Sequence, residues 1–142
     1  MVKMKRYTYT PELLENLEEN EIFIFGSNLA GIHGAGAAKL AFDKFGAEWG
    51  VGVGLTGHCY AFPTKRRNVI DRLTIEELRF YVLSLEKTIS ENKDKTFYLT
   101  KVGCGLAGYS INDIAPLFKD VIRFENVIFP KEFIATNALS LF

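Results

Sequence analysis

The stretch EIFIFGSNLAGIHGAGAAKLAFDKFG, residues 21–46, decides the fold class of this chain. It begins with a compact run of apolar, β-branched and aromatic residues at 21–25, which is typical of a buried strand. A glycine-rich segment follows, and the alanine-rich run at 35–45 then predicts a helix that ends at Gly46 as its cap. A strand that turns through glycines into a helix is typical of an α/β unit. Such glycines let backbone N–H groups approach a ligand closely.

Apolar runs and helical periodicities alternate along the rest of the chain. Pro63 and Pro130 are predicted to end two of the strands. The predicted strands are residues 21–25, 58–62, 96–102 and 126–129, separated by helices at 11–17, 35–45, 74–89, 110–123 and 131–142. Capping-box patterns mark the helix starts at Thr74 and Ser110. This alternation predicts one α/β domain over residues 1–142, with a central, mostly parallel or mixed sheet and helices on both faces.

Composition and charge exclude several classes of partner. Seventeen basic and seventeen acidic residues give a formal net charge of zero, so no global positive field favours nucleic acid. The two cysteines, Cys59 and Cys104, have neither zinc-type spacing nor a disulfide framework, which favours a reducing cytoplasm and no bound metal or cofactor. No stretch is long and apolar enough to predict a membrane span.

All twelve glycines fall in two windows, nine between Gly26 and Gly57 and three between Gly103 and Gly108. Each window follows a predicted strand. Ligands of parallel α/β sheets bind beyond the carboxyl ends of the strands, so the two windows are predicted to form one phosphate-binding crevice. The predicted ligand-binding residues are Gly26, Ser27, Asn28, Gly34, Ala35, Gly36, Gly103, Cys104, Gly105, Leu106, Ala107, Gly108 and Tyr109.

Two residues of the first window are candidates for catalysis. The Asn28 amide both donates and accepts hydrogen bonds and is placed to orient a ribose. His33 is a candidate acid, base or phosphate donor, although a loop histidine is more often a simple polar contact. Two residues of the second window have a structural role as the alternative to ligand binding. Cys104 would then be a small buried spacer, and Tyr109 an aromatic residue of the core or of the cleft rim. Lys65, Arg66 and Arg67 are expected to be a solvated charge run, with phosphate contact as the alternative.

Four short phrases carry a resemblance to known proteins. They are FGSNLAG at residues 25–31, HGAGAA at 33–38, YAFPTK at 60–65 and VGCGLAGY at 102–109. Within them, Asn28 after the early strand, the small residues 34–37 at a helix start and the loop at 104–108 resemble the macrodomain family, the ADP-ribose-binding fold. The four phrases together resemble more closely a group of small, uncharacterised phage and bacterial proteins. The resemblance implies a three-layer α/β/α architecture and a site for ADP-ribose or a related nucleotide diphosphate. The cytoplasm predicted from the cysteine usage would be that of the host if the chain is phage-encoded.

Three functions follow as hypotheses. The first is binding of ADP-ribose, with hydrolysis of an ADP-ribosyl derivative as an associated activity. The second is a non-catalytic module that senses or sequesters a nucleotide signal, favoured by the scarcity of acid–base residues. The third is an NAD-dependent oxidoreductase, because residues 103–108 match the G-x-G-x-x-G pattern of dinucleotide-binding loops. That pattern normally lies in the first strand–helix turn, whereas here it lies in the last third of the chain.

Overall fold

The computed structural model describes residues 5–139, which form a mixed α/β fold with five strands and four helices. The strands are β1 (Glu21–Asn28), β2 (Gly54–Thr56), β3 (Cys59–Lys65), β4 (Thr96–Leu99) and β5 (Val127–Ile128). The helices are α1 (Gly36–Lys44), α2 (Ile75–Glu91), α3 (Ile111–Ile114) and α4 (Lys131–Leu139), with a 3-10 helix at Ala115–Arg123 between the last two. Within the described residues, every helix falls short of the length or apolar character that a bilayer crossing requires.

The sheet is mixed, with strand order β2-β3-β1-β4-β5. Strand β1 lies at its centre and pairs in parallel with both β3 and β4, and β4 pairs in parallel with β5. Strand β2 was not predicted, since it is a three-residue segment inside the first glycine window. It pairs antiparallel with β3 through a tight turn, in which Gly57 has a positive φ of 57°.

Two hydrophobic clusters pack against alternate residues of the strands. Along β1, Ile22 and Ile24 belong to one cluster, whereas Phe23 and Phe25 belong to the other, as the period of two in a strand requires. The first cluster includes the apolar stripe of α2, which is Leu78, Val82, Leu85 and Ile89. The second cluster includes Ala38 and Ala41 of α1, so small side chains bring this helix close to the strands.

The two capping boxes are confirmed. Thr74 and Glu77 exchange backbone and side-chain hydrogen bonds at the start of α2, and Ser110 and Asp113 do so at the start of α3. The predicted helix from Ser110 is nevertheless only one α-helical turn before it tightens into the 3-10 helix. Pro116 lies in the first turn of that 3-10 helix, where its missing N–H interrupts the α-helical hydrogen-bond series.

The structure differs from the predicted bounds at several places. Strand β4 ends at Leu99 rather than at residue 102, and residues 140–142 of the last predicted helix lie outside the described residues. Residues 11–17 are not helical. Instead this segment lies against the sheet, with Leu14 buried in the second cluster and the Thr10 N–H bonded to the Phe129 carbonyl at 2.9 Å. Strand β1 continues through Asn28 rather than ending at residue 25. Strand β3 also continues past Pro63, which is tolerated because β2 pairs only with residues 59–61 and leaves that side of β3 open.

A buried ionic network fixes the amino end of β1. The Glu21 side chain is 4% exposed, and its carboxylate accepts hydrogen bonds from Arg6, from the Glu18 backbone N–H and from the Tyr98 hydroxyl. Burial alone would raise the pKa of the Glu21 carboxyl. The hydrogen bonds from these three residues, together with the charge of Arg6, outweigh burial and hold this pKa below its usual value. The charged form of Glu21 therefore stabilises the folded state.

Replacing Glu21 by glutamine is expected to lower the free energy of unfolding by about 2 kcal/mol near neutral pH, because three donors lose a charged acceptor. The pKa of Glu21 is lower in the folded state than in the unfolded state. The contribution of Glu21 to the free energy of unfolding is therefore complete at pH values above the unfolded-state pKa. This contribution is lost as the pH falls through the folded-state pKa. Urea unfolding of both proteins should show the difference shrinking on acidification. Glu15→Gln at an exposed site is the control, and a difference that does not depend on pH would contradict the prediction.

Candidate functional site

The carboxyl ends of β1 and β4 open into one cleft of about 490 Å³. Since these strands are parallel neighbours, the segments that leave them lie side by side. The structure thus brings together both glycine windows. The lining from the first window includes Gly26, Ser27, Asn28, Gly34, Ala35 and Gly36, and the lining from the second is Gly103, Gly105, Leu106 and Ala107. Three other residues predicted to bind ligand, Cys104, Gly108 and Tyr109, are outside this lining.

The Asn28 side chain holds the loop that follows β1. Its amide nitrogen donates to the Ile32 carbonyl at 2.8 Å, and its carbonyl oxygen accepts the Ile32 N–H at 3.0 Å. This closed pair of bonds fixes residues 28–32 and leaves one amide N–H and one oxygen lone pair of Asn28 for another partner. The neighbouring Ser27 hydroxyl is buried and donates to the Gly52 carbonyl. Ser27 therefore keeps its hydroxyl engaged within the protein, and Asn28 has one remaining amide N–H for the cleft.

The glycines of the windows divide into two groups. A Cβ atom at Gly31 would lie 2.3 Å from the Gly50 carbonyl carbon, and one at Gly52 would lie 2.2 Å from the Asn28 carbonyl oxygen. These two glycines therefore permit one backbone segment to pack closely against another. A Cβ atom at Gly34 or Gly105 would instead meet no atom within 4 Å. The open space beside Gly34 and Gly105 is available to a ligand, since both residues line the cleft.

Helix α1 begins at the wall of the cleft without a side-chain cap. Its N-cap residue is Ala35, which makes no capping hydrogen bond, and its first turn holds no acidic residue. Gly36, Ala37 and Ala38 of that turn line the cleft. Free N–H groups and the helix dipole at such a terminus favour a negative group. The small side chains there allow a close approach.

The second window is held in place by its own backbone and by the residues before α2. Gly103 has a positive φ of 79°, and its carbonyl accepts the Tyr109 N–H at 2.9 Å. The Tyr109 hydroxyl donates to the Leu73 carbonyl at 2.7 Å, and the Arg72 guanidinium lies over the ring at 3.8 Å. Tyr109 thus fixes the loop. Burial raises the pKa of the half-buried Cys104 thiol to about 11, so this group is protonated at neutral pH.

His33 is buried beside the cleft rather than lining it. The side chain is 1% exposed and contacts the rings of Phe25 and Trp49, with centroids 5.3 and 6.0 Å away. Its Nε2 atom bonds to the Glu48 carbonyl at 2.9 Å, which requires that this nitrogen carry the proton. These contacts place His33 in the packing of the first glycine window.

A third wall of the cleft is formed by Thr64, Lys65 and Val69. Sequence reasoning considered only Lys65 of these three, as an alternative phosphate contact, and missed the other two. The pairing of β1 and β3 shifts by one residue here, so that Ser27 lies opposite Pro63 and Asn28 opposite Lys65. This bulge at Thr64 changes the direction of the strand at the edge of the cleft. Val69 has a φ of 58°, which is a strained value for a β-branched residue. In the sequence, the alternative of phosphate contact for Lys65 and the YAFPTK phrase at residues 60–65 were the indications of this wall.

Few of the residues that line the cleft have ionisable side chains. Of the described residues that line it, none is an aspartate, glutamate, histidine or cysteine, and the one charged side chain is Lys65. Across residues 5–139, no group of three or more such side chains is arranged to hold a metal ion. The arrangement can therefore bind a ligand through backbone amides, the remaining N–H of the Asn28 side-chain amide and the ammonium group of Lys65.

Comparisons of the chain with protein-family models, with curated proteins and with solved structures find no match.

Proposed function

We propose that the cleft binds ADP-ribose or a related nucleotide diphosphate. The observation that carries this proposal is the meeting of two glycine-lined segments, 26–36 and 103–107, at the carboxyl ends of adjacent parallel strands. Proteins commonly bind phosphate oxygens through backbone N–H groups that neighbouring glycines leave accessible. The open positions beside Gly34 and Gly105 are where the diphosphate would lie.

The size and chemistry of the cleft favour a ligand of nucleotide class. Its volume of about 490 Å³ lies within the range of small-molecule sites. Apolar side chains at Ile32, Val69 and Leu106 supply surface for a sugar or base, and the remaining hydrogen-bonding capacity of Asn28 is suited to a ribose hydroxyl. The absence of lining carboxylates among the described residues removes repulsion of a dianion.

The lining also favours binding without hydrolysis. General acid–base catalysis needs a titratable group within hydrogen-bond reach of the reacting atoms. The described lining residues include no carboxylate, imidazole or thiol, and His33 and Cys104 lie outside the lining. We therefore place the protein with modules that sense or sequester a nucleotide signal. The two hydrophobic clusters, with α1 in one and α2 in the other, support a three-layer, macrodomain-like arrangement.

Isothermal titration of the purified protein with ADP-ribose tests the proposal. We expect saturable binding to a single site, weaker binding of ADP, and no binding of adenosine, since adenosine lacks the diphosphate. Chromatography after prolonged incubation should recover ADP-ribose and ADP-ribosylated peptide unchanged. The absence of heat and of a thermal shift at millimolar ADP-ribose would refute the ligand class, and turnover of the peptide would refute the non-catalytic assignment.

A further inference from the structure

We infer that Lys65 is the residue by which the cleft recognises the charge of its ligand, so that it selects phosphorylated ligands over neutral ones of the same shape. This inference rests on the proposed function. It adds to that function a side chain outside both glycine windows, and it assigns the anionic group of the ligand a position near the end of β3.

The position of Lys65 is set by the irregular end of β3. Residues 59–63 alternate regularly across the sheet, and the bulge at Thr64 breaks that alternation. As a result both Thr64 and Lys65 line the cleft, although consecutive residues of a regular strand point to opposite faces. The Thr64 hydroxyl donates to the Ser27 carbonyl at 3.1 Å, and the Lys65 carbonyl accepts the Leu29 N–H at 3.0 Å. These two bonds fix the backbone on either side of the Lys65 Cα atom.

The charge of Lys65 is uncompensated, whereas the guanidinium groups of Arg66 and Arg72 are engaged within the protein. The Arg66 guanidinium makes two hydrogen bonds to the Glu77 carboxylate, at 2.6 and 2.9 Å, and Arg72 lies over the Tyr109 ring. Among the described residues, no carboxylate lies within 4.0 Å of the Lys65 ammonium group. Of the cationic run at 65–67, Arg66 is paired with Glu77 and Arg67 is exposed, and only Lys65 lines the cleft.

A lone cation in a cleft without lining carboxylates is complementary to an anion. An ammonium group contacts phosphate oxygens through charge-assisted hydrogen bonds, which are stronger than neutral ones. Lys65 is also a point charge on a flexible stem, so it can follow a phosphate without a fixed fork geometry. The backbone amides of the glycine windows would bind the diphosphate oxygens, and Lys65 would neutralise their charge.

Titration of three variants with two ligands tests this role. The variants are Lys65→Gln, which removes the charge, Lys65→Arg, which keeps it, and Arg67→Gln, which makes the same charge change at an exposed residue outside the lining. The ligands are ADP-ribose and inorganic pyrophosphate. For both, we expect Lys65→Gln to weaken binding about tenfold and to flatten its dependence on salt. Lys65→Arg and Arg67→Gln should stay within about threefold of the unchanged protein.

The outcomes separate the two proposals. If ADP-ribose binds and Lys65→Gln leaves its affinity and salt dependence unchanged, the role of Lys65 is wrong and the proposed function stands. If only pyrophosphate binds, and does so in a Lys65-dependent way, the role of Lys65 stands and the nucleotide assignment is wrong. Equal losses in Lys65→Gln and Arg67→Gln would show a general charge effect and overturn the inference, and binding of neither ligand would overturn both proposals. Melting temperatures of the ligand-free variants verify that each one folds.

Discussion

Replacing Gly105 by valine is expected to weaken the binding of ADP-ribose by about 100-fold or more while leaving the fold intact. Gly105 lines the cleft, a Cβ atom there would meet no protein atom within 4 Å, and its φ is not in the left-handed region. A valine side chain would therefore fit the protein and fill the space that the proposal gives to the diphosphate. Calorimetric titration measures the affinity, and the melting temperature without ligand measures the fold.

The matched control adds the same three carbons away from the cleft. Ala135 is exposed on α4, so Ala135→Leu should leave both affinity and melting temperature unchanged. An unchanged affinity in Gly105→Val would show that the ligand does not approach the second glycine window, and the proposed position of the diphosphate would then be wrong.

The second large effect concerns stability rather than binding. Replacing Gly52 by alanine places a methyl group 2.2 Å from the Asn28 carbonyl oxygen and 2.9 Å from the Leu29 carbonyl carbon. These are backbone atoms at the end of the central strand, so they cannot turn aside as a flexible side chain would. We expect the free energy of unfolding to fall by about 3 kcal/mol, and the melting temperature by about 10 °C.

Gly34→Ala provides the same chemical change at a position with open space around the new methyl group. Its melting temperature should stay the same or rise slightly, because alanine restricts the unfolded chain. Equal destabilisation of the two variants would show that loss of glycine flexibility, and not the contact with the Asn28 carbonyl, governs the stability of the first window.

The elements that the sequence predicted well are those with local causes. Apolar runs placed β1, β3 and β4, and the Thr74 and Ser110 capping boxes placed two helix starts, because a cap is a contact between residues three apart. Glycines at strand ends also indicated where a cleft would form. The pairing of β1 with β4, which joins the two windows, was an inference from the general behaviour of parallel sheets.

The features that escaped prediction depend on contacts between distant segments. Strand β2 is only three residues long and is a strand because it pairs with β3. Pro63 is tolerated inside β3 because this pairing extends only to Ala61. The bulge at Thr64 and the strained backbone of Val69 exist only once β3 is paired with β1, so the third wall of the cleft left little trace in the residue pattern. The absence of a helix at residues 11–17 has the same kind of cause, since that segment contacts the assembled sheet.

Because β1 is the central strand, the cleft forms only when both halves of the sheet are folded. The chain builds β2 and β3 on one side of β1 and β4 and β5 on the other, and the cleft takes residues from segments as far apart as 26 and 107. A partly unfolded chain that loses either half of the sheet loses the cleft as well. By thermodynamic linkage, a ligand present at 100 times its dissociation constant would stabilise the native state by about 2.7 kcal/mol. The cellular lifetime of this protein would then rise and fall with the concentration of the proposed ligand.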